Sequence, residues 1–268
     1  MKNTIKEEVN RINKLMSISE QTDMGQYMDS TYLKTPEQAG IGQEETDNII
    51  VNTIQDAIDH NMKLVMIRPE YVDTARKFID SSGANVLVGT VIDFPYGNGS
   101  VTDKVNEAKE AINNGVDELD YVVDYRAFLR GNREKVMREI KEGSEIGLSN
   151  GKTVKWILET AALTNEEIAD LTSLIRDVVL ENFGEQEGMN VFVKTSTGFF
   201  TPEGGGSGGA TEEAVSIMSN NAGPLQVKAS GGIYSKDDLD KMVGAGASRI
   251  GTSSAKEIML GQKTNKDY

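Results

Sequence analysis

The chain has 268 residues, of which 38% are hydrophobic, enough for one large domain with a sizeable core and no Pro/Ser-rich linker to divide it. With 42 acidic against 28 basic side chains, the formal charge of −14 excludes nucleic acid and anionic membrane as expected partners. There is no cysteine, which excludes disulfides, zinc–thiolate sites and iron–sulfur clusters and fits a cytoplasmic location.

In chain order, residues 1–26 read as an extra N-terminal helix, without the continuous apolar core of a signal peptide. Short apolar runs then alternate with helical patterns. The expected strand cores are Tyr27–Leu33, Lys63–Ile67, Val86–Ile92, Glu118–Val122, Thr153–Leu158, Val191–Lys194, Leu225–Lys228 and Arg249–Ile250. Between them, Val101, Val105, Ala108 and Ile112 recur at helical spacing and predict one buried face. Thr164 and Glu167 form a capping-box pattern ahead of Ile168, Leu171, Ile175 and Val178. Gly83, Gly115 and Gly246 stand where helix-terminating glycines are common. The lone histidine, His60, ends a helical pattern and reads as a helix-terminus residue. Residues 262–268 are expected to form a mobile tail. No run of about 18 apolar residues occurs, so no membrane-spanning helix is expected.

Regular alternation implies a parallel sheet, and eight units favour closure into a (β/α)8 barrel over an open sheet. The chain is thus expected to be a single α/β barrel domain over residues 1–268. Chemistry in such a barrel gathers at the C-terminal ends of the strands. The residues there include Asp29 or Thr31, Asp93, Asp120, Glu159, Lys194 and Lys228. Lys194 and Lys228 end adjacent strands after apolar approaches and are expected to meet in the barrel mouth. Burial and a second ammonium both disfavour the charged form, which frees a neutral amine able to attack a carbonyl. Asp93 and Glu159 read equally well as catalytic acids or as partners that fix the lysines. Trp156 and Phe192 read as core. Phosphate binding in barrels often uses the loops after strands seven and eight with a short helix start. Gly231, Gly232, Gly251, Ser253 and Ser254 occupy those places, where glycines let backbone approach and serines add donors. Helix capping is the other role open to Ser253 and Ser254.

Three segments, Lys194–Gly198, Lys228–Ile233 and Arg249–Ser254, resemble the signatures of the deoxyribose-phosphate aldolase family. Asp29–Lys34, Thr90–Gly97, Asp117–Asp120 and Ile157–Thr160 are similar to four further family motifs, in family order. The resemblance implies a class I aldolase that cleaves 2-deoxy-D-ribose 5-phosphate to acetaldehyde and D-glyceraldehyde 3-phosphate, in deoxyribonucleotide catabolism. By it, Lys194 is the Schiff-base lysine, Lys228 its pKa-lowering neighbour and Asp120 a member of the acid/base relay. Asp29 and Thr31 support Lys228, Gly198 joins the substrate-binding loops, and the terminal Tyr268 assists proton transfer at the methyl carbon. The implied partners are a small phosphorylated sugar and acetaldehyde, with a homodimer allowed and no cofactor or metal required.

Four features depart from the family pattern. The segment Phe199–Gly209 is longer and richer in glycine, Tyr234 stands where many members have arginine, and Met66 and Arg68 replace the usual residues before Pro69. They keep open a Schiff-base aldolase acting on another sugar phosphate or sugar acid. A non-catalytic aldolase-like binding protein is the alternative of a different class, and a flavin- or nucleotide-binding barrel a weaker third.

Overall fold

A computed structural model describes residues 24–205 and 208–264. Eight parallel strands close into a barrel in the order β1 to β8. They are β1 (Met28–Thr31), β2 (Leu64–Ile67), β3 (Leu87–Ile92), β4 (Glu118–Val122), β5 (Thr153–Ile157), β6 (Val191–Lys194), β7 (Gln226–Ser230) and β8 (Arg249–Thr252). The expected (β/α)8 barrel is therefore present. The N-terminal extension expected over residues 1–26 lies outside the described residues up to residue 23.

The principal helices between strands are α1 (Pro36–Ala39), α2 (Gln43–Asp59), α3 (Val72–Ser82), α4 (Val101–Asn113), α5 (Tyr125–Leu129) and α6 (Arg133–Leu148). They continue with α7 (Asn165–Gly188), α8 (Glu212–Asn221), α9 (Lys236–Gly244) and, after β8, α10 (Ala255–Met259). The short helices α1 and α5 have no counterpart in the sequence reading, because one or two turns cannot display a hydrophobic period. The capping box forms as expected at the start of α7, where Thr164 Oγ1 accepts from Glu167 N and Glu167 Oε2 accepts from Thr164 N. Gly184, at φ 79°, breaks the regular path of α7 near its end. His60 caps the C-terminus of α2, its Nδ1 2.9 Å from the Asp56 carbonyl oxygen.

The buried stripe of α4 differs from the expected one. Val101, Lys104, Ala108 and Ala111 are buried, while Val105 and Ile112 are only partly so. Lys104 displaces Val105 because its Nζ donates to Gly97 O (2.9 Å), Val122 O (2.7 Å) and Glu139 Oε2 (2.7 Å). A buried ammonium is tolerated only when paired and hydrogen-bonded in this way. The cluster ties α4 and α6 to the loops leaving β3 and β4.

Period-two alternation sends the apolar outward-facing residues of the strands against the helices, where most of the core lies. Tyr121 and Trp156 stack there, with ring centroids 4.7 Å apart. Inside the barrel the two sides differ. Toward β2 and β3 the lining is apolar, with Leu33, Leu64, Met66 and Val91 packed together. The side formed by β4–β8, with Asp29 of β1, is ionic and carries the candidate site.

Candidate active site

Lys194 is the last residue of β6 and lies directly across from Lys228 in the β6–β7 register. Both ammonium groups reach Asp120 Oδ2, Lys194 Nζ at 2.8 Å and Lys228 Nζ at 2.9 Å. The two lysines thus meet as expected, but the strand-end rule is imperfect. Lys228 and Asp120 each sit in the middle of their strands, and β7 and β8 run two residues further than expected, to Ser230 and Thr252. The staggered register of a tilted-strand barrel brings mid-strand residues level with the end of β6.

Asp29 binds Lys228 Nζ through Oδ2 at 2.5 Å and accepts from Arg249 Nε through Oδ1 at 2.8 Å. The Thr31 hydroxyl donates to the Asp29 carbonyl at 2.8 Å, so it braces β1 rather than touching Lys228 through this bond. Three charged groups that the sequence reading did not single out complete the interior. Lys155 Nζ reaches Asp120 Oδ1 at 2.5 Å and Glu118 Oε2 at 2.6 Å, and Glu118 also accepts from Arg249 at 3.0 and 3.1 Å. Phe192, expected in the core, lies inside the barrel with the Lys155 and Arg249 cations 6.0 and 5.8 Å from its ring centre.

These surroundings sort the charges. Burial pulls the Lys194 amine down to about 8; Asp120 opposes the fall, and the Lys228 and Lys155 cations add to it. Burial alone would raise Asp120, yet Lys155, Lys194 and Lys228 hold it well below the usual carboxylate range. Lys155 moves upward despite burial, because Asp120, Glu118 and Asp29 face it. The arrangement can therefore present one neutral nucleophilic amine beside a fixed carboxylate at near-neutral pH.

The two acids left open by sequence separate. Asp93, at φ 53°, turns toward its own loop, accepting from Gly99 N at 2.7 Å and lying 3.5 Å from Lys104. Glu159, at φ 60°, stays at the mouth, where it accepts from the Thr197 hydroxyl and, at 3.3 Å, from the Thr197 backbone N–H. Burial pushes the Glu159 carboxyl up to about 7, against the Thr197 hydrogen bonds and the Lys194 and Arg126 cations. Glu159 lines a cleft with Tyr125, Arg126, Thr197, Phe199 and Phe200. Two buried hydroxyls near the lysine pair, Ser196 Oγ and Ser230 Oγ, have no hydrogen-bond partner among the described residues. Buried hydroxyls in this position can be satisfied by water or by a polar ligand.

A family model for DeoC/LacD family aldolases matches residues 23–261. A deoxyribose-phosphate aldolase of Staphylococcus saprophyticus is 39% identical over 243 residues, spanning 90% of this chain and 98% of that protein. The chain belongs to the DeoC/LacD aldolase family. The same name is carried by a Staphylococcus haemolyticus protein that is 38% identical over 90% of this chain and 98% of its own length. A deoxyribose phosphate aldolase structure from Aeropyrum pernix, described as tetrameric, matches with a TM-score of 0.72 and 30% identity, covering 90% of this chain and 91% of that one.

DeoC/LacD aldolases are lyases, and in this member three loops frame the lysine pair. Gly198, Gly231 and Gly232 all take left-handed backbone, at φ 83°, 84° and 73°. A Cβ on Gly209 would lie 2.4 Å from Gly231 O, so the loops after β6 and β7 can touch only as bare backbone. At Gly251 a Cβ would meet Ser230 Oγ at 2.4 Å and Lys228 Cε at 3.0 Å; this glycine gives Lys228 its room. Ser253 is exposed and Ser254 buried. Ser254 makes no side-chain capping bond to α10; its hydroxyl pairs with Thr264 Oγ1 at 3.2 Å instead. The start of the tail is thereby held against the loops after β7 and β8, with Thr264 N donating to Tyr234 O at 3.1 Å. Tyr268 lies outside the described residues. Arg68 stands half-buried beside Phe94 (5.8 Å), its Nε donating to Leu33 O at 2.9 Å.

Proposed function

We propose that the chain is a class I aldolase that reversibly cleaves 2-deoxy-D-ribose 5-phosphate to acetaldehyde and D-glyceraldehyde 3-phosphate through a Schiff base on Lys194. One observation carries the reading: Lys194 is a buried amine drawn down to about 8, with Lys228 opposite and Asp120 in contact. The names of the relatives support the substrate.

In the proposed reaction, neutral Lys194 adds to C1 of the open-chain sugar, and loss of water gives a protonated imine. The imine withdraws electrons as the C2–C3 bond breaks, so the electron pair moves into an enamine and C3 becomes the aldehyde of the departing triose phosphate. The C3 hydroxyl loses its proton toward Asp120, through a water. Asp120 is held ionised by its cations and passes the proton on rather than keeping it. Protonation of the enamine at C2 and hydrolysis free acetaldehyde. Gly198, Gly231, Gly232, Gly251, Ser253 and Ser254 hold the 5-phosphate by backbone N–H groups and hydroxyls, which supply donors in a molecule of net charge −14.

Arg68 favours a second reading, a Schiff-base aldolase of this fold for another anionic sugar, because it brings a guanidinium to the mouth. Assaying 2-deoxyribose 5-phosphate beside a panel of ketose phosphates and 2-keto-3-deoxy sugar acids separates the two. Release of acetaldehyde and D-glyceraldehyde 3-phosphate as the preferred turnover supports the first; preferential release of pyruvate or a ketone supports the second.

A further inference from the structure

Six of the charged groups inside the barrel form a closed ring of alternating sign. Asp120 binds Lys155, Lys155 binds Glu118, Glu118 binds Arg249, Arg249 binds Asp29, Asp29 binds Lys228, and Lys228 returns to Asp120. Three carboxylates and three cations leave the ring neutral. Lys194 is the seventh charge and stands outside it, attached through Asp120 Oδ2 at 2.8 Å. We propose that the remote members of this ring, Lys155 in particular with Glu118 and Arg249, are positioning residues that fix the proton count of Lys194 through Asp120 without touching substrate.

Position and electrostatics both point that way. Lys155 is fully buried on β5 and occupies Asp120 Oδ1, which leaves only Oδ2 for Lys194 and Lys228 to share. Around Lys194, β1 contributes Asp29, β4 contributes Glu118 and Asp120, β5 contributes Lys155 with Glu159 beyond it, β7 contributes Lys228 and β8 Arg249. From β2 and β3, Leu64, Met66 and Val91 face the interior without charge. A proton on Lys194 is therefore an excess charge against a balanced set, in a low-dielectric space where an unbalanced charge is costly. Removing one ring cation makes that proton a needed counter-charge; removing one ring anion makes it still less welcome. Bulk packing changes have no such sign.

The inference rests on the Schiff-base reading for what Lys194 does, so it is tested by a readout that stands apart from turnover. The rate of Lys194 acetylation by acetic anhydride, followed by peptide mass mapping across pH, gives the midpoint of its deprotonation. Lys155→Met should raise that midpoint by about one unit or more, as loss of a cation within contact of the shared carboxylate requires. Glu118→Gln should lower it, and Lys155→Met/Glu118→Gln, which removes one charge of each sign, should fall between Lys155→Met and the parent. Lys155→Arg, which keeps the charge, should leave it in place. An unchanged midpoint in Lys155→Met, or in Lys155→Gln where Lys155→Met does not fold, overturns the proposal. So do equal shifts of the same sign in Lys155→Met and Glu118→Gln. A wild-type protein that fails to trap substrate on Lys194 while these shifts appear would instead refute the aldolase reading and leave the ring intact.

Discussion

Lys194 is held in a state that the fold pays for at ordinary pH. Its amine falls from 10.5 to about 8, chiefly through burial. A lysine whose folded value is depressed binds its proton more weakly in the native state, so it destabilises the fold fully below about pH 8. That penalty fades as pH rises from 8 through 10.5. The shift corresponds to about 3 kcal/mol. Lys194→Met should therefore be more stable than the parent at pH 7 by up to this amount, with the gap narrowing toward pH 10.5 in urea titrations. A gap that does not change with pH would mean that Lys194 is not held as a strained cation. Lys228 acts on the same proton from across the register. Lys228→Leu should move the basic-side activity maximum upward, and residual turnover with an unchanged pH profile would sink the charge argument. At this scale Lys194, Lys228, Asp120 and Asp29 are legible in the sequence, because apolar strands that end in, or are interrupted by, charge stand out. Lys155, Glu118 and Arg249 are not. Each alternates with outward apolar residues just as a solvent-facing charge on an amphipathic strand would, and only closure of the barrel turns that face inward.

Among the elements, the strands were readable and their ends less so. The β-branched runs locate all eight, yet β7 and β8 extend to Ser230 and Thr252, past the last apolar residue, because neighbouring strands continue to offer partners. The same limit hid α1 and α5. On α4, periodicity alone cannot foresee that Lys104 is buried by acceptors from a loop, the end of β4 and a neighbouring helix. The loops after β7 and β8 yield two predictions. Gly251→Ala places a methyl against Ser230 and Lys228. It should cost about 1–3 kcal/mol of stability and lower kcat by displacing Lys228. Wild-type kcat would show that Lys228 does not need the space. Ser253 is exposed, so Ser253→Asp should fold normally while opposing an anion at the helix start. It should raise KM for 2-deoxyribose 5-phosphate by tenfold or more and leave unphosphorylated deoxyribose nearly unaffected. Equal losses on both would remove the serine from the phosphate site.

For the whole molecule, the division of the barrel interior matters most. The half toward β2 and β3 is a small apolar cluster, and the other half is a buried ionic assembly whose balance leaves one amine to spare. The sequence announced the barrel, the lysine pair and the family pattern, because these depend on local period and short motifs. It could not announce the charge count, which depends on which eight strand faces share one interior. The proposed Schiff base on Lys194 is one covalent bond that can be trapped. Acetaldehyde and borohydride should together attach a stable two-carbon adduct to the protein, and peptide mass mapping should find it on the peptide containing Lys194. Lys194→Met should lose it, and the yield should climb with pH as the amine deprotonates near 8. An adduct on Lys228, or no adduct in folded protein at pH 8, would contradict the account.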